Sequence, residues 1–393
     1  MADIADTKKG TNQIATFLVT FNHPFDEENP KDWPIPRKWA VTGVLSATGF
    51  NRRMVSTIMV PALPTIAREL HMSNVESVMV MSVYILASAF GLLLIGPLSE
   101  VFGRKPVLYI TNVWFLTWNI LCGFANSKGL LMAARLLAGL GASAIYALGS
   151  GVLGDLWSSE QRGRSLGHYL LIPLLGAAIG PIAGGFITEK TTWRWMFWST
   201  SILQAAMILA SFLFFRETHA PTILRKRAKH MRHTTINPEY QTAGENLGIG
   251  RSLLWILQRS LTRPFRLLAF HPIIQIQACL SAFNYGILYL VLSTFSTLYT
   301  AQHNQSNAIS SLHYIALCVA EILGALTAGP LIDIVFRPLK HTHNGESQPE
   351  FRVSVMLPGV LLAPVGLLMY GWPHSNTPIG CSLMSVLGFW RLG

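Results

Sequence analysis

The sequence predicts an all-α protein that crosses a lipid bilayer many times. Of its 393 residues, 51% are apolar and only 12% are charged. A soluble domain carries about 25% charged residues, so this chain has too few ionisable side chains to cover a water-facing surface of its size. Its apolar residues occur in blocks long enough for a helix to cross a hydrocarbon core about 30 Å thick. The sequence lacks short alternating segments, so helices must satisfy the backbone within the bilayer.

Nine apolar blocks are long enough to span the membrane. The predicted spans cover residues 39–61, 76–98, 106–126, 129–153, 165–187, 196–215, 272–300, 307–332 and 353–373. A last apolar segment, 378–390, would rise only about 20 Å as a helix and is too short to cross. The predicted fold therefore has a six-span N-terminal half and an incomplete second half, with nine full spans and a stub.

These spans divide the chain into four predicted units. Residues 1–38 are polar and proline-rich and are predicted to be a disordered cytoplasmic tail. Residues 39–215 form the N-terminal six-helix bundle. Residues 216–271 form a basic cytoplasmic loop, and residues 272–393 form the incomplete C-terminal bundle.

Lysine and arginine in the loops predict a cytoplasmic N-terminus. With that orientation, ten basic residues lie in the inner loop between 216 and 266, whereas the outer loops hold only Arg68, Lys128, Lys190 and Arg194. The sequon Asn304-Gln305-Ser306 then lies on the outer side, where Asn304 is a possible glycosylation site.

The long basic loop allows two interpretations. Arg259, Arg263 and Arg266 recur at helical spacing, a pattern typical of a helix that lies on an anionic cytoplasmic leaflet. The same charges could instead serve only to fix the topology. Either way the expected partners are the bilayer and a small-molecule substrate, without nucleic acid, and the protein is expected to be a monomer.

An internal repeat predicts two related halves. Residues 96–104 read GPLSEVFGR, and residues 329–337 read GPLIDIVFR. Each segment follows a span and carries an acid, Glu100 or Asp333, and an arginine, Arg104 or Arg337. The same loop recurs six spans later, as expected for halves related by an axis along the membrane normal. Rocking transporters, unlike channels or receptors, give a specific reason for such a repeat.

Enzymatic function is not predicted. The sequence contains no phosphate-binding loop, no metal-ligand spacing and no nucleophile with a nearby base. The four cysteines all fall inside apolar blocks, where packing is the simpler interpretation. No cofactor and no metal site are therefore expected, and any pumping must use an ion gradient.

The first inner loop resembles the loop signature of the major facilitator superfamily, Gly-x-x-x-Asp-x-x-Gly-Arg-Arg/Lys. Gly96, Gly103, Arg104 and Lys105 match this signature, and Glu100 stands where aspartate is usual. An acid at a helix end that faces basic residues on a glycine turn would form a latch between two arrangements of the halves.

Two further motifs carry the resemblance. Span four contains Arg135 and Gly139, similar to the family's Arg-x-x-x-Gly motif. Span five reads GAAIGPIAGG and resembles the family's antiporter signature; its matching residues are Gly176, Gly180, Pro181, Gly184 and Gly185. Glycines four residues apart leave one helix face bare, so that another helix can pack against its backbone.

The resemblance, which runs from about residue 29 to 378, implies a fungal proton-coupled drug or polyamine efflux antiporter of twelve spans. Arg135 would take part in proton coupling or, alternatively, tether neighbouring helices. Glu321, inside span eight, is the other coupling candidate. The cavity candidates are Tyr84, Asn284 and Tyr285, each of which could instead be a packing residue. The plasma membrane is the expected location, with a vacuolar or other internal membrane as the alternative.

Two features depart from the family pattern. Arg52 and Arg53 are adjacent within span one and point about 100° apart on a helix, which suggests that one snorkels and the other faces a cavity, or that the span is locally unwound. The chain also ends at SVLGFWRLG, so that the C-terminal end of a twelve-span protein is expected to be missing. The alternatives to an antiporter are therefore a transport-inactive truncated protein and an uncoupled facilitator.

Overall fold

The computed structural model describes residues 18–22, 24–236, 240–242, 253–303, 306–315, 319 and 322–323. The eleven α-helices of this part are α1 Ile35–Thr57, α2 Leu63–Glu69, α3 Asn74–Phe102, α4 Arg104–Gly123, α5 Lys128–Leu156, α6 Ser159–Lys190, α7 Arg194–Phe214, α8 Ala220–Thr235, α9 Leu253–Phe270, α10 Pro272–His303 and α11 Asn307–Leu312. Short 3-10 turns at Pro30–Asp32 and Val60–Ala62 flank α1. Within these ranges there is no β-strand, only an isolated bridge between Leu18 and Gln241.

Local sequence explains where several helices begin and end. Ser73 and Glu76 form a capping box at the start of α3, in which each side chain accepts a hydrogen bond from the other residue's backbone N–H. The Ser127 hydroxyl caps α5 by accepting from the N–H of Leu130. Gly103 ends α3 with φ of 98°, a conformation that favours glycine, and the chain turns at once into α4.

The first seven helices pack into one bundle through small residues. α3 packs along α5, and α1 packs along α6. A β-carbon at Gly139 of α5 would collide with the Tyr84 carbonyl of α3, and one at Gly141 would touch the backbone of Phe115 in α4. Such close approach of backbones is how helices associate in a membrane, where apolar burial supplies little driving force.

The outside of the bundle is apolar, as a membrane protein requires. Ile110, Phe212 and Leu213 are each at least 68% exposed. Five helical segments in the described part are long and apolar enough to cross a membrane: Asn74–Phe102, Lys128–Leu156, Gln161–Lys190, Arg194–Phe214 and Pro272–Thr294. The chain is thus a multi-pass membrane protein.

The predicted spans one and three also form long helices, α1 and α4, although neither is among those five apolar segments. Both carry polar residues on buried faces. Asn51 and Arg52 of α1 and Asn112 and Asn119 of α4 are at most 3% exposed. These side chains therefore face protein rather than lipid.

The prediction of a disordered tail over residues 1–38 differs from the structure in the described ranges 18–22 and 24–38. Trp33 is buried and belongs to an apolar cluster that includes residues of α1, α3, α4, α5 and α6, and α1 begins at Ile35 rather than at 39. Residues before it lie along α8, where Arg227 of that helix forms an ion pair of 2.6 Å with Asp26.

The second half is described only at its beginning. Its helices α10 and α11 correspond to span seven and the start of span eight. Most of span eight, all of span nine and the stub at 378–390 lie outside the described residues.

Candidate functional site

The two adjacent arginines of α1 point in different directions from an unbroken helix. Arg52 is fully buried, and its Nη2 donates a hydrogen bond of 2.6 Å to Oδ1 of Asn112. Its guanidinium carbon lies 3.3 Å from the ring centre of Phe115. Arg52 therefore holds α1 to α4 inside the N-terminal half, and the alternative of a locally unwound span is wrong.

Arg53 points instead towards the second half. Its guanidinium lies 5.2 Å from the ring centre of Tyr146 on α5, and it is within hydrogen-bonding reach of Tyr285 on α10. Tyr289, one turn further along α10, also faces this charge. A guanidinium over an aromatic face is stabilised by the ring quadrupole. The side chain is half-buried between the two halves.

Arg135, the predicted coupling residue, lies sealed among α1, α3 and α5. Its Nη1 donates to the Val55 carbonyl at 3.1 Å and its Nε to the Val80 carbonyl at 3.4 Å. The Val55 carbonyl belongs to the last turn of α1, where no further helical N–H can reach it. The guanidinium thus caps α1 and lies 4.4 Å from the ring centre of Tyr84. This placement supports the tethering interpretation of Arg135.

The predicted cavity residues are not all in one place. Tyr84 is 3% exposed, and its hydroxyl donates to the Arg52 carbonyl, so it packs inside the N-terminal half. Tyr285 is 44% exposed and faces Arg53. Asn284 is half-buried on α10, and its Oδ1 has no hydrogen-bond partner in the described part of the chain. Glu321 lies outside the described residues.

The glycines of span five form the contact between α6 and α1. A β-carbon at Gly176 would collide with the Phe50 carbonyl, one at Gly180 with the Thr57 hydroxyl, and one at Gly184 with the Ile58 carbonyl. The Thr57 hydroxyl also donates a hydrogen bond of 2.9 Å to the Ala177 carbonyl. Pro181 lies inside α6, which continues through it. The motif therefore brings two backbones into direct contact.

The end of the same motif touches the second half. A β-carbon at Gly185 would collide with the Ser311 side chain of α11. One turn further, the carboxylate of Glu189 accepts a hydrogen bond of 2.8 Å from the N–H of Ala308. Val291, Leu292 and Tyr314 join the apolar cluster formed by the same ends of the N-terminal helices. The two halves are therefore closed together at this end.

The glycine turn at the opposite end positions Arg104. Its Nε forms an ion pair of 3.2 Å with Asp155 at the end of α5, and its Nη1 donates to the Ser99 hydroxyl at 3.1 Å. The backbone N–H groups of Arg104 and Lys105 donate to Glu217 at 2.9 and 3.2 Å. A β-carbon at Gly103 would collide with the Glu217 carboxylate.

The predicted latch names the wrong acid as the partner of the basic turn. Glu100 is exposed and makes no hydrogen bond or ion pair with any described residue. The extended turn at Gly103 aims Arg104 back at α5, so Asp155 and Glu217 take the part predicted for Glu100. Gly96 lies one turn before it with open space beside it. The repeat residues Asp333 and Arg337 and the sequon residue Asn304 lie outside the described residues.

Sequence reasoning missed four residues: Glu217 and Asp155 at the Arg104 turn, and Tyr146 and Tyr289 around Arg53. Glu217 and Asp155 were hidden because their partners lie about fifty or more residues away. Tyr146 and Tyr289 resemble ordinary interfacial or packing tyrosines. The adjacent arginines of span one were the available signal, since a charge inside a membrane span requires a partner.

Apolar membrane-long helices, buried arginines between spans and a charged turn at one end define a multi-pass membrane protein of the transporter class. The chain belongs to the Major Facilitator Superfamily, whose family model matches residues 45–393. Its curated relatives include fungal efflux pumps. A probable efflux pump of Aspergillus flavus, mfs2, is 56% identical over 80% of this chain and 74% of its own length. The efflux pump vrtL of Penicillium aethiopicum is 39% identical over 92% and 71% of the two chains.

Solved structures share the fold. The proton:xylose symporter XylE matches with a TM-score of 0.60 at 16% identity, over 91% of this chain and 79% of its own. A bacterial homologue of the lysosomal transporter Spinster, solved in an inward-facing conformation, matches with a TM-score of 0.58 at 13% identity, over 91% and 74%. The all-α major facilitator fold predicted from the sequence is thus confirmed.

Proposed function

We propose that this protein exports small organic molecules, such as drugs, toxins, secondary metabolites or polyamines, in exchange for protons. The observation that carries the proposal is the contact made by the span-five motif. Gly176, Gly180 and Gly184 pack against α1, while Gly185 packs against α11 of the second half. A helix that packs this closely against both halves can transmit movement between them. The names of the efflux-pump relatives support the direction of transport.

The proposed energy source is the proton gradient, with Arg135 and Glu321 as the coupling candidates. Arg135 caps the end of α1 next to the break at Pro61. A change in the charge near this arginine would alter the balance of interactions that holds α1 to α3 and α5. Proton binding at Glu321 is the proposed source of such a change. The plasma membrane is the proposed location, since export requires it.

The test is accumulation of a labelled substrate panel in cells that lack their own efflux pumps. Two forms are compared: the 393-residue chain and a chimera that adds the segments of the Aspergillus flavus relative outside the aligned region. The expected result is export that an uncoupler abolishes and that Glu321→Gln or Arg135→Ala reduces. Export that persists with the uncoupler would indicate a facilitator, and absence of export by both forms would indicate a transport-inactive protein.

A further inference from the structure

The interior of the predicted spans carries an excess of positive charge. In the described parts of the spans, three arginines lie at positions 52, 53 and 135, whereas the one acid there, Glu76, lies at a helix start and pairs with Lys128. The sequence places only one other carboxylate within a predicted span, that of Glu321. Ionisable groups inside a membrane are costly unless they are paired. The excess must therefore be compensated by neutral acceptors or by a ligand.

Two of the three arginines already have neutral partners that seal them from any ligand. Arg52 and Arg135 are both fully buried. Arg52 is held by Asn112 and the face of Phe115. Arg135 is held by two backbone carbonyls and the face of Tyr84. Neither can turn towards the space between the halves without breaking the N-terminal bundle.

Arg53 is the arginine that a ligand can reach. It is half-buried; its guanidinium lies over the ring of Tyr146 on α5, within hydrogen-bonding reach of Tyr285 on α10, and near Tyr289 on the same helix. No carboxylate among the described residues forms an ion pair with it. An arginine guanidinium presents a planar fork of N–H donors that matches a carboxylate. The tyrosine rings beside it offer flat faces against which an aromatic group can stack.

We propose that Arg53, Tyr146 and Tyr285 form a binding site for an aromatic carboxylate. The guanidinium binds the carboxylate, and the tyrosines contact the ring that carries it. A cationic substrate is disfavoured because its charge would meet Arg53 in a site of low dielectric. This inference narrows the substrate class and rests on the proposed export function only for the statement that the bound molecule is transported.

Binding to the purified chain in lipid nanodiscs tests the site without requiring transport. The probes are 2-naphthoate, its neutral amide and 2-naphthylmethylammonium, which share one ring system and differ in charge. We expect naphthoate to bind more tightly than either analogue. Arg53→Gln should weaken naphthoate binding by about ten- to a hundred-fold and leave the amide unchanged. Arg68→Gln, at an exposed arginine of α2, is the matched control and should change nothing.

Arg53→Lys protects the test against a folding defect. Lysine keeps the charge but cannot form the two parallel hydrogen bonds, so naphthoate should bind this variant with intermediate affinity. If Arg53→Gln does not fold, the wild-type preference among the three probes and the effect of Arg53→Lys decide the question. Equal binding of the three probes, preference for the ammonium, absence of naphthoate binding, or unchanged affinity in the Arg53 variants would each overturn the proposal.

Failure of this inference and failure of the proposed function give different results. Arg53-dependent naphthoate binding together with uncoupler-insensitive export would leave the site standing and remove proton coupling. Uncoupler-sensitive export together with naphthoate binding that the Arg53 substitutions do not change would support proton-coupled export and overturn the proposed binding site.

Discussion

At the residue scale, the carboxylate of Glu217 serves two helices at once. It accepts hydrogen bonds from the N–H groups of Arg104 and Lys105 at the start of α4. It also accepts 3.0 Å bonds from the N–H groups of Thr218 and His219 just before α8. The first turn of a helix leaves N–H groups unpaired and carries partial positive charge. One anion therefore stabilises the junction between the first inner loop and the central loop.

We predict that Glu217→Gln weakens this junction, whereas Glu100→Gln does not. Glutamine keeps one acceptor oxygen but loses the charge, so about 1.5–3 kcal/mol of local stability should be lost. The measurement is hydrogen–deuterium exchange of the amides at the start of α4, where protection should fall in the Glu217 variant. Similar exchange in the two variants would contradict the assignment of this role to Glu217 rather than to Glu100.

Gly180 gives a second prediction at this scale, because an alanine there meets α1. Alanine normally stabilises a helix relative to glycine by about 1 kcal/mol. At Gly180 the added methyl group would collide with the Thr57 hydroxyl and lie close to the Met54 carbonyl. Gly180→Ala should therefore lower the melting temperature of the purified protein despite its better propensity.

Gly167→Ala is the matched control for this substitution. Gly167 lies in the same helix, with open space where its β-carbon would be, so the variant should be neutral or more stable. A melting temperature that rises equally in both variants would contradict the close-packing account of the antiporter motif.

At the scale of elements, the length of the apolar blocks predicted the long apolar helices better than it predicted the start of α1 and the residues before it. The positions of α3, α5, α6, α7 and α10 follow from long apolar blocks, as expected for helices surrounded by lipid. The first residue of α1 and the ordered structure of the residues before it could not be predicted in this way. Trp33 belongs to an apolar cluster with residues of α1, α3, α4, α5 and α6, and such distant packing leaves no local pattern.

The segment before α1 is held against α8 by charge and against Gln241, beyond that helix, by backbone pairing. Val19 donates its N–H to the Gln241 carbonyl at 2.9 Å. Burial alone would raise the pKa of Asp26, but hydrogen bonds from the Asn22 amide and from Arg227 outweigh it and hold the pKa below its usual value. Val19 and Asp26 thus tie this segment to the central loop.

We predict that Asp26→Asn releases this segment, because it leaves Arg227 without its closest partner. Protection of residues 18–33 from hydrogen–deuterium exchange should fall by roughly tenfold, as expected for about 1–2 kcal/mol. Glu27→Gln is the matched control, since Glu27 is an exposed neighbour whose side chain makes no described contact. Equal loss of protection in the two variants would show that the ion pair is dispensable.

The pH dependence of the same segment follows from the lowered pKa of Asp26. A group with a depressed folded pKa adds stability above its unfolded pKa, about 3.9, and loses it as the pH falls through the folded value. The segment should therefore stay bound at neutral pH and loosen only below about pH 4. Release between pH 6 and pH 7 would require another titrating group.

At the scale of the whole molecule, the repeat predicted two halves but not which end of the interface would be closed. The choice depends on a balance between two arrangements of the same residues, and a sequence pattern does not report such a balance. In the structure, the closed end joins α6 to α11 through Gly185 and Glu189. With a cytoplasmic N-terminus, this closed end lies outside.

We predict that Gly185→Ala opens the outer end. Its added methyl group would collide with Ser311, whereas an arrangement in which α6 and α11 separate has room for it. Contacts within the N-terminal half should survive, because Gly176, Gly180 and Gly184 are unchanged. The variant should thus shift the population of the two arrangements without unfolding the bundle.

A cysteine at position 310 reports this shift. Ser310 is fully buried at the closed end, so in a background lacking Cys122, Cys279, Cys318 and Cys381, Ser310→Cys should react slowly with a membrane-impermeant maleimide. Adding Gly185→Ala should speed the reaction from the outer side of intact cells, and adding Gly167→Ala should leave it unchanged. Faster labelling only in inside-out vesicles would reverse the topology, and equal rates with and without Gly185→Ala would show that this glycine does not control the seal.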